Sequence, residues 1–204
     1  MKLWSVRDGV ITGQTKSDQD LAAGNTFLVL KGIEPANFEL RLSFRLTGQN
    51  EKKSGNSGVQ YRSRLMDPTA FVVGGYQADI DSDGKYAGML YEERGRGILM
   101  APGEKIRVTA ATGTDPKKKA TVEKLGVATT AAELAAIYRK GEWNELRIVA
   151  DGNHVQHYLN GKMTADVVDA DAALAPKSGV IALQLHKGPP MTIEFKDLQL
   201  KVLP

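Results

Sequence analysis

Planar hydrogen-bonding side chains recur at alternate positions in three stretches of this sequence. Gln60, Arg62 and Arg64 alternate with Val59, Tyr61 and Ser63. Gln77, Asp79 and Asp81 alternate with Tyr76, Ala78 and Ile80, and Gln184 and His186 alternate with Leu183 and Leu185. Arg, Gln, Asp and His can each make two directed hydrogen bonds, which suits a ligand built from hydroxyl groups. An ordinary solvent face would use more Lys, Glu and Thr. The three stretches together therefore point to one binding surface.

Further residues invite a chemical reading. His186 ends its stretch just before Lys187-Gly188-Pro189-Pro190. A strand end leading into a rigid loop is a good place for a working side chain, and a histidine there can act as base or acid near neutral pH. The segment Tyr91-Glu92-Glu93-Arg94-Gly95-Arg96-Gly97 sets two arginines among glycines, as in a loop whose backbone approaches something closely. Its two carboxylates cannot face each other, because neighbours on a strand point to opposite faces. At most one of them lines a site. Asp79-Ile80-Asp81-Ser82-Asp83-Gly84 matches the opening of a calcium loop, but the twelfth position, where that loop needs a bidentate Glu, is Leu90. A divalent cation on Asp79, Asp81 and Asp83 ranks second to solvated turn carboxylates. Serine chemistry is disfavoured, since no Gly-x-Ser-x-Gly elbow occurs.

Period-2 alternation must position these groups. Phe38, Leu40, Leu42, Phe44 and Leu46 alternate with polar residues, as do Met191, Ile193 and Phe195. Shorter strands are predicted at 27–30, 59–64, 76–80, 88–92, 106–110, 145–149, 155–159 and 180–186. Asp151-Gly152-Asn153 and Asn160-Gly161 bracket Val155–Leu159, so 145–164 reads as consecutive hairpins. One surface helix is predicted near 130–140: Thr130 and Glu133 fit a capping box, Leu134, Ile137 and Tyr138 follow at helical spacing, and Gly141 ends it. The pattern predicts one all-β domain over residues 1–204, a sandwich of two antiparallel sheets.

The 204 residues suffice for a core without disulfides, and the absence of cysteine excludes thiol nucleophiles and zinc ribbons. The net charge is only +3 and no basic stripe accompanies it, so nucleic acid is not an expected partner. Lys117-Lys118-Lys119 reads as a solvated turn. No apolar run reaches the roughly 20 residues that a membrane span needs.

The sequence resembles the 3-keto-disaccharide hydrolase family, long known as a domain of unknown function. The resemblance begins at Trp4-Ser5-Val6, Asp8-Gly9-Val10-Ile11-Thr12-Gly13 and Asn25-Thr26-Phe27-Leu28. It continues through Asn56-Ser57-Gly58-Val59-Gln60-Tyr61-Arg62-Ser63, Gly75-Tyr76-Gln77-Ala78-Asp79-Ile80 and Gly88-Met89-Leu90-Tyr91-Glu92-Glu93. It ends with Trp143-Asn144-Glu145, His157-Tyr158-Leu159-Asn160-Gly161 and Gly179-Val180-Ile181-Ala182-Leu183-Gln184-Leu185-His186. Relatives carry an Asn-Gly-x-x-Leu-x-x-Trp stretch ahead of the Trp-Ser-Val segment. Its absence here leads us to expect that an edge strand or leader has been removed. Some relatives also have Glu and Gln where this chain has Gln77 and Asp79, which would exchange or specialise those roles.

The resemblance implies a concanavalin A-like jelly roll with a sugar site on its concave sheet. It also implies an exported bacterial protein, periplasmic or extracellular, that cleaves glycosides already oxidised to a ketone at carbon 3. That ketone acidifies the carbon 2 proton, so a base can form an enolate that expels the carbon 1 substituent, and water then adds. On this reading His186 is the base, and Asp79 or Glu92 orients it or assists the leaving group. Gln60, Arg62 or a bound divalent cation stabilises the enolate. Gln77, Tyr91, Arg94 and Gln184 complete the substrate contacts. No nicotinamide is required at this step. Two other classes use the same fold: a non-catalytic, lectin-like carbohydrate-binding module and a classical glycosidase. The first would favour exposed aromatics, which are scarce at 6%. The second needs two carboxylates about 5–10 Å apart, which adjacent Glu92 and Glu93 do not supply.

Overall fold

Alternating burial along Phe38–Gly48 sets the architecture: Phe38, Leu40, Leu42, Phe44 and Leu46 are all buried, and the residues between them face away from the core. A computed structural model describes residues 3–112 and 119–204. Its strands begin with β1 (Trp4–Arg7), β2 (Val10–Gln14), β3 (Thr26–Val29), β4 (Phe38–Gly48) and β5 (Asn56–Asp67). They continue with β6 (Val72–Asp81), β7 (Leu90–Glu93), β8 (Gly97–Ile98), β9 (Glu104–Thr109) and β10 (Thr121–Val127). Helix α1 (Ala131–Ile137) follows, then β11 (Asn144–Asp151), β12 (His154–Leu159), β13 (Lys162–Asp169), β14 (Val180–Leu185) and β15 (Met191–Val202).

Two sheets face each other across the core. One has nine strands in the order β1-β2-β15-β4-β11-β12-β13-β9-β10, and the other has six in the order β3-β14-β5-β6-β7-β8. Neighbours run antiparallel except β13 and β9, which are parallel. This is the expected jelly-roll sandwich with its single described helix. The predicted hairpins of 145–164 are β11, β12 and β13. The capping box is present, with Thr130 Oγ1 accepting from the Glu133 amide at 3.3 Å and Glu133 Oε2 accepting from the Thr130 amide at 2.9 Å. Alternation alone missed β10, an edge strand with no buried residue. Of the lysine run, Lys117 and Lys118 lie outside the described residues. Lys119 donates from Nζ to the Gly95 carbonyl at 2.8 Å.

Two buried polar centres are hydrogen-bonded within the core, although Thr164 Oγ1 and Asp171 Oδ2 are buried without hydrogen-bond partners among the described residues. His157 is fully buried, with Nε2 at 2.8 Å from the Tyr61 hydroxyl and Nδ1 at 3.0 Å from the Gly88 carbonyl. A neutral ring that donates from Nδ1 to the carbonyl and accepts at Nε2 from the hydroxyl satisfies both contacts. Burial pushes the imidazole down to about 4, which keeps it neutral. Arg96 is the second buried polar centre. Its guanidinium pairs with Glu92 and, at 2.5 and 3.2 Å, with Asp169, while the Tyr76 hydroxyl donates to the same Asp169 carboxylate. These bonds tie the β7–β8 hairpin of one sheet to β13 of the other.

Candidate functional site

The six-stranded sheet turns Val59, Tyr61, Tyr76, Ala78, Leu90 and Leu183 into the core. Alternation sends the residues between them to the outer face. Register then lays Ala182 of β14 beside Gln60 of β5, Gln60 beside Gln77 of β6, and Gln77 beside Tyr91 of β7. Gln60, Gln77, Asp79 and Gln184 are buried nonetheless. They bond one another, as buried polar groups normally must, and leave Gln184 Oε1 buried without a hydrogen-bond partner among the described residues. Gln60 Nε2 donates to Gln77 Oε1 at 2.7 Å, Gln77 Nε2 to Asp79 Oδ1 at 2.8 Å, and Gln184 Nε2 to Gln77 Oε1 at 3.0 Å. Ser63 donates to Gln60 Oε1 at 2.9 Å, and Gln184 Nε2 also lies 3.3 Å from Glu93 Oε2. Gly58 leaves the room for this chain of amides. A Cβ there would lie 2.4 Å from Gln77 Cδ, so only glycine lets the Gln77 side chain lie across β5.

Above this network lies a cleft of about 320 Å³, walled by Asn25, Asn56, Gln77, Asp79, Tyr86, Met89, Tyr91, Glu93, Ile98, Gln184 and His186. Burial raises the Asp79 carboxyl from its usual 3.8 to about 7; the bond from Gln77 opposes this, and the charges of Asp81 and Glu93 add to it. Burial also raises Glu93 and lowers His186. Near neutral pH the cleft therefore holds an uncharged imidazole and a carboxyl that carries its proton about half the time. One group can accept a proton and the other can give one.

The structure brings Gln60, Gln77, Asp79, Tyr91, Gln184 and His186 to this one face, with Gln60 beneath the cleft and the others in its wall. It sends three other predicted residues elsewhere. Glu92 shares the inward parity of Leu90 and is engaged by buried Arg96, so Glu93 takes the place on the cleft. Arg62 sits at a bulge in β5 with φ 46°, which breaks the alternation and turns its guanidinium to the carbonyls of Ala36 and Gly152, both at 2.7 Å. Arg94 is exposed in the β7–β8 turn and does not reach the cleft wall of His186 and Asp79. Sequence reasoning could have found Glu93, since Leu90 marks the buried parity of that strand. Asn25 and Tyr86 come from loops, Asn56 from the first position of β5 and Ile98 from edge strand β8, and no local pattern announced them.

The aspartates of the calcium-like stretch serve separate purposes. Asp79 lines the cleft, Asp81 accepts the amides of Lys85 and Tyr86 at 3.2 and 2.8 Å, and Asp83 pairs with Lys140 at 2.7 Å. Among the described residues no group of three or more His, Asp or Glu is placed to hold a metal ion. No helix of the described residues is long and apolar enough to cross a membrane.

The domain model of the 3-keto-alpha-glucoside-1,2-lyase-like family matches residues 1–201. No curated protein matches the sequence. Among solved structures, two candidate glycosyl hydrolases from Parabacteroides distasonis share the fold. One is 20% identical, with 99% of this chain and 91% of that chain covered and a TM-score of 0.58. The other is 21% identical, with 100% and 84% covered and a TM-score of 0.59. A carbohydrate-binding module from Bacillus subtilis is 14% identical, with 97% and 90% covered and a TM-score of 0.57. These likenesses establish the jelly-roll fold, and the family match ties the chain to carbohydrate chemistry.

Proposed function

This chain belongs to the 3-keto-alpha-glucoside-1,2-lyase-like domain family, and we propose that its outer-face cleft cleaves glycosides whose sugar carries a ketone at carbon 3. The observation that carries this reading is the pairing of His186 and Asp79 in one cleft, the first held neutral by burial and the second held near 7. Two titratable groups whose environments assign them opposite tasks are the mark of an acid and base couple.

In the first step, His186 takes the proton from carbon 2, and the electron pair moves to the carbon 3 oxygen as an enolate. The enolate then collapses toward carbon 1, the glycosidic bond breaks, and Asp79 gives its proton to the departing oxygen. Water adds across the resulting double bond to complete a net hydrolysis. Arg62 is turned away and the Gln60 amide is occupied by Gln77, so the enolate oxygen falls to the amide of Asn56 in the cleft wall. Tyr91 and Gln184 hold the sugar. The same reading places the protein in the periplasm or outside a bacterial cell, where glycosides are met.

A second reading has one observation in its favour. Asp79 and Glu93 line the same cleft, so the carboxylate pair that Glu92 and Glu93 cannot form arises between β6 and β7. Ordinary glycoside hydrolysis would use such a pair. The test is cleavage of a 3-keto-glucoside and of its unoxidised parent, followed by chromatography. Cleavage of the ketone alone is expected, with an alkaline limb near pH 7 as Asp79 loses its proton. Equal cleavage of both sugars would select the glycosidase reading. Saturable binding without cleavage of either would make the domain a carbohydrate-binding module.

A further inference from the structure

A second cleft, of about 310 Å³, adjoins the first and shares Glu93 with it. Its wall is basic. Arg62, Arg64, Arg94 and Lys177 line it, and Arg64, Arg94 and Lys177 are exposed. The acidic residues in the wall are Glu92 and Glu93. Glu92 is bound by Arg96, which it shares with Asp169 and, at 3.8 Å, Asp171, and Glu93 stands at the boundary between the clefts, beside Gln184 and under the charge of Arg94.

Arg62 is the telling residue. It is 2% exposed, yet among the described residues every hydrogen-bond partner it has is uncharged. Nε donates to Ala36 O, and Nη1 to Gly152 O and, at 3.4 Å, Pro176 O. Nη2 reaches Asn37 Oδ1 at 3.4 Å. The charge of Asp151 acts on it only through space. Buried cations are normally paired with an anion, because desolvating an unpaired charge is costly. Arg62 also holds a left-handed backbone at φ 46°, a conformation that persists where the surroundings impose it and that gathers at functional sites. Its neighbours allow it. Gly75 and Gly179 both have positive φ, and a Cβ on either would strike Ser63. Strained backbone and two close-approach glycines thus place a buried guanidinium, with no ion-pair partner among the described residues, at an open cleft rimmed by three further cations.

We propose that this second cleft binds an anionic group, a phosphate or carboxylate, carried by the sugar that occupies the first cleft. The inference rests on the carbohydrate reading of that first cleft, and it names the substrate class as an acidic glycoside. Arg64, Arg94 and Lys177 supply the direct contacts. Arg62 supplies field from below.

Titration calorimetry in low salt tests this with three probes: trehalose, trehalose 6-phosphate and inorganic phosphate. The proteins are the wild type and the Arg64→Gln/Lys177→Gln double variant, whose substituted residues are exposed and outside the first cleft. The phosphorylated sugar is expected to bind about tenfold more tightly than trehalose, a usual worth for a few exposed charge contacts. The double variant should cut that preference to under about threefold and leave trehalose affinity unchanged. Equal affinity for trehalose and its phosphate in the wild type would overturn the anion cleft and leave the carbohydrate reading standing. Inorganic phosphate binding as tightly as the sugar phosphate, with no binding of trehalose, would overturn both. A preference that survives unchanged in the double variant would also overturn the assignment.

Discussion

Replacing Asp79 by Asn should make this protein more stable and less active, and the gain should grow with pH. The carboxyl titrates at about 7 in the folded protein and near 3.8 in the unfolded chain. The folded state therefore holds the proton more tightly. The stability that this proton contributes is full below pH 3.8 and is lost as pH rises through about 7. Once both states are ionised, the buried charge costs the fold about 4 kcal/mol. Roughly half of that loss has already occurred by pH 5.5, and the rest, about 2 kcal/mol, accrues by pH 8.5. An Asn side chain is neutral at every pH and keeps an oxygen to accept the 2.8 Å bond from Gln77 Nε2. It also removes the repulsion from Asp81 and Glu93. The Tm difference between Asp79→Asn and wild type should thus widen by about 4–8 °C between pH 5.5 and 8.5 for a chain of this size. Thermal unfolding followed by circular dichroism at the two pH values measures this. A difference that stays constant, or a variant less stable than wild type at pH 8.5, would refute the burial argument for Asp79.

The remaining predictions test the base, the amide network and the buried ion cluster. His186→Ala should lower turnover of a 3-keto-glucoside by roughly two to four orders of magnitude, the usual worth of a general base, with Tm little changed; full activity would remove His186 from the chemistry. Gly58→Ala should destabilise by about 1–3 kcal/mol, because the new methyl displaces Gln77 from a buried, hydrogen-bonded position. The same change should move the alkaline limb of the rate profile upward, since Asp79 loses the Gln77 bond that lowers its pKa. Arg96→Met should cost about 3–5 kcal/mol in urea unfolding, because Glu92 and Asp169 would stay buried without their cation; a loss under about 1 kcal/mol would contradict that role.

Much of the sandwich and part of the site were legible in the linear order of residues. Period-2 alternation is a local property. It marked the long strands, and by placing Gln60, Gln77, Asp79 and Gln184 on the parity opposite the apolar residues it grouped side chains that the structure joins by hydrogen bonds. The capping box likewise placed α1 from a handful of neighbouring residues. Edge strand β10 escaped because it buries nothing, so no apolar rhythm betrays it.

What the tertiary structure alone decided depends on partners distant in sequence. Glu92 became part of a buried ion cluster because β13 brings Asp169 to Arg96 across the sandwich, while Glu93 went to the cleft. Arg62 left the cleft because a bulge reversed its parity, and because the carbonyls that receive it come from Ala36, Gly152 and Pro176. Asp79 and Glu93 come to line one cleft from neighbouring strands β6 and β7, with Glu93 opposite Gly75 in register. Residue order determines which face a strand offers. Which charges are buried, and what they meet there, follows from the register and bulges that only the assembled sheets contain.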